Sequence, residues 1–97
     1  MHVGVCRIRL HLPASESLKD KRQAVKSVVS RLRNNYNVSV SEIEDQELWQ
    51  LCTLGICCTG PEPSALGDLL CRIVDFVTTA RFDYEVVESE TDVLTVL

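Results

Sequence analysis

Twice along these 97 residues, a stretch with strand periodicity is cut off by proline and followed by a stretch with helical periodicity. That ordering constrains the fold more than any single motif. In the first instance Val3 to Leu12 alternates, with Cys6, Ile8, Leu10 and Leu12 on one side and Arg7, Arg9 and His11 on the other. This is the pattern of a strand with one buried face. Pro13-Ala14-Ser15 ends the strand, and Ser17 followed three residues later by Asp20 is a capping-box variant that opens a helix. Leu18, Val25, Val28, Val29, Leu32 and Tyr36 then share one stripe at the 3.6-residue period, and Asn34-Asn35 suits the helix end. In the second instance Leu48 to Thr59 sets Cys52, Leu54, Ile56 and Cys58 against Trp49, Leu51, Thr53 and Cys57. A strand apolar on both sides belongs in the middle of its sheet. Gly60-Pro61-Glu62-Pro63 breaks it, and a second helix runs to about Ala80, burying Leu66, Leu69, Leu70, Ile73, Val77 and Ala80.

Two stretches remain. Val38 to Ile43 is a short strand before the acidic turn Glu44-Asp45-Gln46-Glu47, and Tyr84 to Leu97 is a last strand whose Glu88 to Asp92 middle is expected to bulge or loop out. The order β-α-β-β-α-β in one domain spanning 1–97 predicts an α+β, ferredoxin-like split βαβ arrangement. It has a four-stranded antiparallel sheet with the first and third strands central. Both helices cover one face and leave the other open.

Ordinary apolar content and few aromatics exclude a disordered chain. No apolar run nears the ~18 residues of a membrane span, and Arg7 interrupts what a signal peptide would need, so a cytoplasmic location is expected. Five cysteines without an export signal read as reduced, with Cys6, Cys52, Cys57 and Cys58 acting as small hydrophobes inside strands. Cys71 falls opposite the second helix's apolar stripe and is expected at the surface. The net charge of −4 conceals a polarity: residues 1–37 carry eight basic and two acidic side chains, and residues 38–97 carry two basic and twelve acidic ones.

The first helix holds six of the ten Lys and Arg residues. Lys19, Arg22, Lys26 and Arg33 line one flank of its stripe, with Arg31 opposite. Lys19, Lys21 and Arg22 crowd the first turn, where the helix dipole disfavours each cation by ~0.3–1 kcal/mol. The crowding predicts an anion near Ser17 to Arg22, either an RNA phosphate or a carboxylate of a partner subunit. The bland alternative pairs these cations with Asp68 or Asp75 of the second helix.

Arg7, Arg9 and His11 form a second basic row on the open face, beside Trp49, Leu51 and Thr53. Two readings fit it equally: single-stranded RNA stacked on the indole, or a dimer interface built on Val3, Val5, Trp49 and Leu51. Adjacent Cys57 and Cys58 point to opposite faces, as do His2 and His11, so no metal site is expected. No nucleophile motif or Gly-rich phosphate loop is found; no cofactor is expected and the chain reads as non-enzymatic. The acids Glu42, Glu44, Asp45 and Glu47 read as a solubilising hairpin edge.

Gly4-Val5, Arg7 to Leu12, Ser17-Leu18-Lys19-Asp20-Lys21-Arg22, Tyr36 to Val40, Glu42, Asp45, Leu48-Trp49-Gln50 and Thr53-Leu54-Gly55 form a set of segments that resembles the YlxP-like family, small bacterial proteins classed as a domain of unknown function. The resemblance implies a ferredoxin-like fold and a loose association with translation, because such genes are often neighbours of those for an initiation factor and a ribosome-binding factor. It implies no catalytic residues. The expected function is a non-enzymatic factor binding structured RNA or a ribosomal subunit through Lys19, Lys21, Arg22, Lys26, Arg33, Arg7, Arg9 and His11. The alternative is a homodimeric protein- or ligand-binding regulatory module.

Overall fold

The computed structural model describes residues 1–80 and 83–97. The elements are β1 (His2–His11), α1 (Leu18–Asn35), β2 (Ser39–Glu44), β3 (Leu51–Gly60), α2 (Pro63–Thr79) and β4 (Glu85–Thr95). They build one four-stranded sheet of order β2-β3-β1-β4. All three strand pairings are antiparallel, so the split βαβ expectation holds.

The core lies between the sheet and the two helices. Cys6, Ile8 and Leu10 of β1, Cys52, Leu54, Ile56 and Cys58 of β3, and Val40 of β2 meet Val28 and Leu32 of α1 and Leu66, Leu70, Ile73 and Val77 of α2. Period two on the strands and period 3.6 on the helices place all of these on facing surfaces. Tyr36 at the end of α1 packs edge-on against Phe76 of α2, with ring centroids 5.6 Å apart. Gly4 lets α2 approach β1 closely, because a Cβ there would sit 2.9 Å from Cys58 Sγ and 3.2 Å from Leu70 Cδ1.

The Glu88 to Asp92 stretch is regular strand. The irregularity comes earlier, where Leu10 pairs with Val86 but Arg9 pairs with Glu88, leaving Val87 as an extra residue. From there Glu88, Glu90 and Asp92 oppose Arg9, Arg7 and Val5 on the open face, while Val93 packs against the core. Alternating acids fit a half-solvated antiparallel strand, so no loop is required. β3 starts later than expected, at Leu51, and Leu48 to Gln50 belong to the turn before it. Cys57 is exposed on the open face, whereas Cys6, Cys52 and Cys58 are buried, and Cys71 is exposed on α2 as expected. All five thiols are free. No helix among the described residues is long and apolar enough to cross a membrane.

Candidate functional site

The start of α1 is closed by its own chain. The Asp20 backbone N–H donates to the Ser17 hydroxyl at 3.1 Å, and the Glu16 N–H donates to the Asp20 carboxylate at 3.1 Å, a capping-box variant in which the acid reaches the residue before the cap. Asp20 therefore supplies a negative charge where the dipole favours one.

Lys21 corrects the sequence reading. It is not a surface cation: its residue is 1% exposed. Its ammonium pairs with the Glu42 carboxylate at 2.8 Å and donates to the backbone carbonyl of Asp45. The physical reason is its position on α1, four residues before Val25 and seven before Val28, which puts it on the packed stripe. Burying an ammonium demands a paired acid and further acceptors, and the β2–β3 connection provides both. Lys21 thus has an internal carboxylate as its counter-ion, which leaves Lys19 and Arg22 as the exposed cations of this turn.

Asp45 is the hub of this cluster. It adopts a left-handed conformation, φ 63°, which aspartate tolerates better than most residues. Its carboxylate accepts the Thr53 hydroxyl at 2.7 Å and the Arg9 guanidinium at 3.3 Å, while its carbonyl also accepts the Leu48 N–H at 3.0 Å. The Thr53 hydrogen bond, with the Arg9 charge, holds the Asp45 carboxyl below the ordinary carboxylate range. Thr53 is buried beneath it. Of the expected solubilising acids, Glu42 and Asp45 are internal partners, and Glu44 and Glu47 alone face solvent. Cys52 lies beside the cluster, and burial first, then the Glu42 carboxylate, pushes its thiol up to about 12.

The open-face basic row is neutralised. Arg7 pairs with Glu90 at 2.7 Å, Arg9 with Asp45 at 3.3 Å, and His11 Nδ1 lies 3.5 Å from Glu85. These ion pairs also split the expected apolar patch. Val3 and Val5 lie at one end beside Leu94, Ile43 and Cys57, whereas Leu51 sits opposite His11 at the other. Eight residues at ~3.3 Å each put ~26 Å between Val3 and His11 along β1. Val3, Val5, Trp49 and Leu51 therefore do not form one surface.

The remaining basic residues lie on α1. Lys19, Arg22 and Lys26 are exposed, and none makes a hydrogen bond or ion pair among the described residues. No ion pair there joins α1 to α2, so Asp68 and Asp75 do not neutralise them. Arg33 continues the flank and donates to the Val40 carbonyl at 2.8 Å, which anchors α1 to β2. Gln23, Ser27, Ser30 and Asn34 lie beside them, and the helix's one acid, Asp20, is engaged at its N-terminus by the Glu16 N–H. At 1.5 Å per residue, Lys19 to Arg33 spans ~21 Å.

Residues 3–91 match the family described as "Protein of unknown function (DUF503)". The chain is 36% identical to "Uncharacterized protein YlxP" of Bacillus subtilis (strain 168) over 61 residues, which are 63% of this chain and 66% of that protein. Its backbone is similar to "De novo designed protein Foldit4", with a TM-score of 0.51 and 15% identity across 98% of this chain and 99% of that one. At that identity the likeness concerns the fold alone.

Proposed function

We propose that this chain, which belongs to the DUF503 family of proteins of unknown function, is a non-enzymatic cytoplasmic factor that binds structured RNA, as on a ribosomal subunit. The contact surface is the exposed flank of α1. One observation carries this reading: in a chain with fourteen acids against ten Lys and Arg, Lys19, Arg22 and Lys26 stand in a row with no anion against them among the described residues. A chain selected for stability alone would pair them or intersperse acids at helical spacing. A line of free cations flanked by hydroxyls and amides suits a phosphate backbone, which takes contacts from Lys, Arg, Ser, Asn and Gln alike. Arg33 extends the line, while Arg7, Arg9 and His11 have a lesser role because acids already face them.

Co-sedimentation of the protein with ribosomal subunits at two salt concentrations tests the proposal. Wild type should pellet with a subunit at low salt and less at moderate salt, and Lys19→Glu with Arg22→Glu should abolish pelleting. Pelleting that is equal at both salts, or untouched by the double reversal, refutes a phosphate-led contact.

The second reading, self-association through the open sheet, draws on the apolar end at Val3, Val5, Ile43 and Leu94, which borders a shallow cavity of about 610 Å³. Under it, light scattering gives a salt-insensitive dimer that Val5→Asp dissolves.

A further inference from the structure

We infer that Trp49 is a stacking platform for an unpaired RNA base at the end of the sheet where α1 begins, so that the ligand is RNA with an unpaired nucleotide beside a structured stem. The inference rests on the phosphate reading of α1 and adds what the protein selects.

Trp49 is the chain's one tryptophan and is 54% exposed, although it carries the largest apolar side chain present. The core does not use it. It lies outside β3, yet both ends of its segment are held. On one side the Leu48 N–H donates to Asp45, which Lys21 and Thr53 hold in turn. On the other side the Gln50 carbonyl accepts the Leu12 N–H at 2.8 Å, and the Gln50 side-chain amide donates to the carbonyls of Pro13 and Ser15 at 3.3 and 3.1 Å. Six hydrogen bonds thus fix the chain on both sides of an indole that the core does not use. Ordering it in advance removes the entropy a ligand would otherwise have to overcome.

Trp49, Leu48, Gln50, Leu51, His11 and Glu47 border a shallow cavity of about 560 Å³. Its walls are an indole, an imidazole and two aliphatic side chains around polar tips, which suits a flat aromatic ring with polar edges. The neighbouring charge selects the occupant. Lys21, in the first turn of α1, donates to the same Asp45 carbonyl that accepts the Leu48 N–H, which sets the turn bearing the exposed Lys19 and Arg22 against this hairpin, while the cavity lining itself holds one acid, Glu47. Lys19 and Arg22 are then the cations at this end of the sheet that the phosphates of a base stacked on Trp49 would meet. An apolar segment of a partner protein would gain nothing from that row of cations.

Because Trp49 is unique, its fluorescence reports the contact directly. The full-length protein is titrated with a stem–loop RNA carrying an unpaired pyrimidine loop, and with the same stem closed as a blunt duplex. The stem–loop should quench Trp49 and bind more tightly, and the duplex should bind without quenching. Trp49→Ala should weaken the stem–loop by ~5- to 150-fold, to the level of the duplex, and Trp49→Tyr should retain most of the preference. Salt-dependent binding of both RNAs with no quenching, and no loss in Trp49→Ala, overturns the platform and leaves the α1 reading standing. No binding of either RNA overturns both. Emission that changes with protein concentration alone would put a second copy of the chain on the indole and also overturn the inference.

Discussion

Replacing Lys21 with Met keeps most of the packed length of the side chain and removes its charge. Glu42 then faces the core edge with no counter-ion, and the Asp45 carbonyl keeps the Leu48 N–H as its remaining donor. Breaking a buried ion pair by removing one partner costs ~3–5 kcal/mol. The Glu42 side chain keeps 21% of its surface exposed although the Oε2 that faces Lys21 is buried, so the carboxylate stays partly hydrated and the lower end, ~3 kcal/mol, is expected. A small domain has only ~5–15 kcal/mol of stability in total. With a urea slope of ~1–3 kcal/mol/M, the unfolding midpoint should fall by ~1–3 M. The partner experiment is Lys21→Met with Glu42→Leu, which removes both desolvation costs together and should return stability to within ~1 kcal/mol of wild type or above it. Urea unfolding followed by circular dichroism reads both. A Lys21→Met loss below ~0.5 kcal/mol would place this pair with solvent-exposed ones. A double variant as weak as the two single losses added together would show that the charges do not act on each other. Either result refutes the buried-pair reasoning.

Other consequences are open to simple measurements. Gly4→Ala should lose ~1–3 kcal/mol, because its Cβ meets Cys58 Sγ at 2.9 Å inside a packed layer; Cys58→Ala in the same chain should restore part of the loss in urea unfolding. Asp45 has a depressed carboxyl pKa, so the unfolded chain binds its proton more readily than the folded one. Its contribution is therefore full above the ordinary Asp value of ~3.9 and is lost as pH falls through the folded value, so Asp45→Asn should flatten the decline of thermal stability below ~pH 4. Burial holds the Cys6 thiol up at about 11 and the Cys52 thiol up at about 12. A thiol-specific colorimetric reagent should thus label Cys57 and Cys71 of the native protein rapidly and the three buried thiols only on unfolding.

Local pattern was enough for both helices, the capping box at Ser17, the central position of β3 and the order of the sheet, because each rests on a period or a turn residue within a short window. Lys21 shows where residue type and position conflict. Its spacing from Val25 and Val28 put it on the packed stripe, and its charge argued for the surface. The deciding partners, Glu42 and Asp45, come from a hairpin that no local window contains. The acid row of β4 was readable in principle, since Glu88, Glu90 and Asp92 alternate. Recognising that it neutralises Arg7 needed the register, which the extra residue at Val87 shifts for His11 and Leu10 relative to Arg9. Likewise, treating Val3, Val5, Trp49 and Leu51 as one surface ignored that strand partners fix position along the sheet as well as side. Gln50 sat within a stretch that carried the family resemblance, but its hydrogen bonds to Pro13 and Ser15 exist only once β1 and β3 are paired.

The salt dependence of RNA affinity for the full-length protein bears on the α1 surface without assumptions about the partner's sequence. With Lys19, Arg22, Lys26 and Arg33 each neutralising one phosphate, a plot of log affinity against log salt should have a slope of about −3 to −4, and Lys19→Glu with Arg22→Glu should remove at least ~2 units of it. A slope near zero, or one unchanged by that double reversal, would contradict phosphate binding by α1.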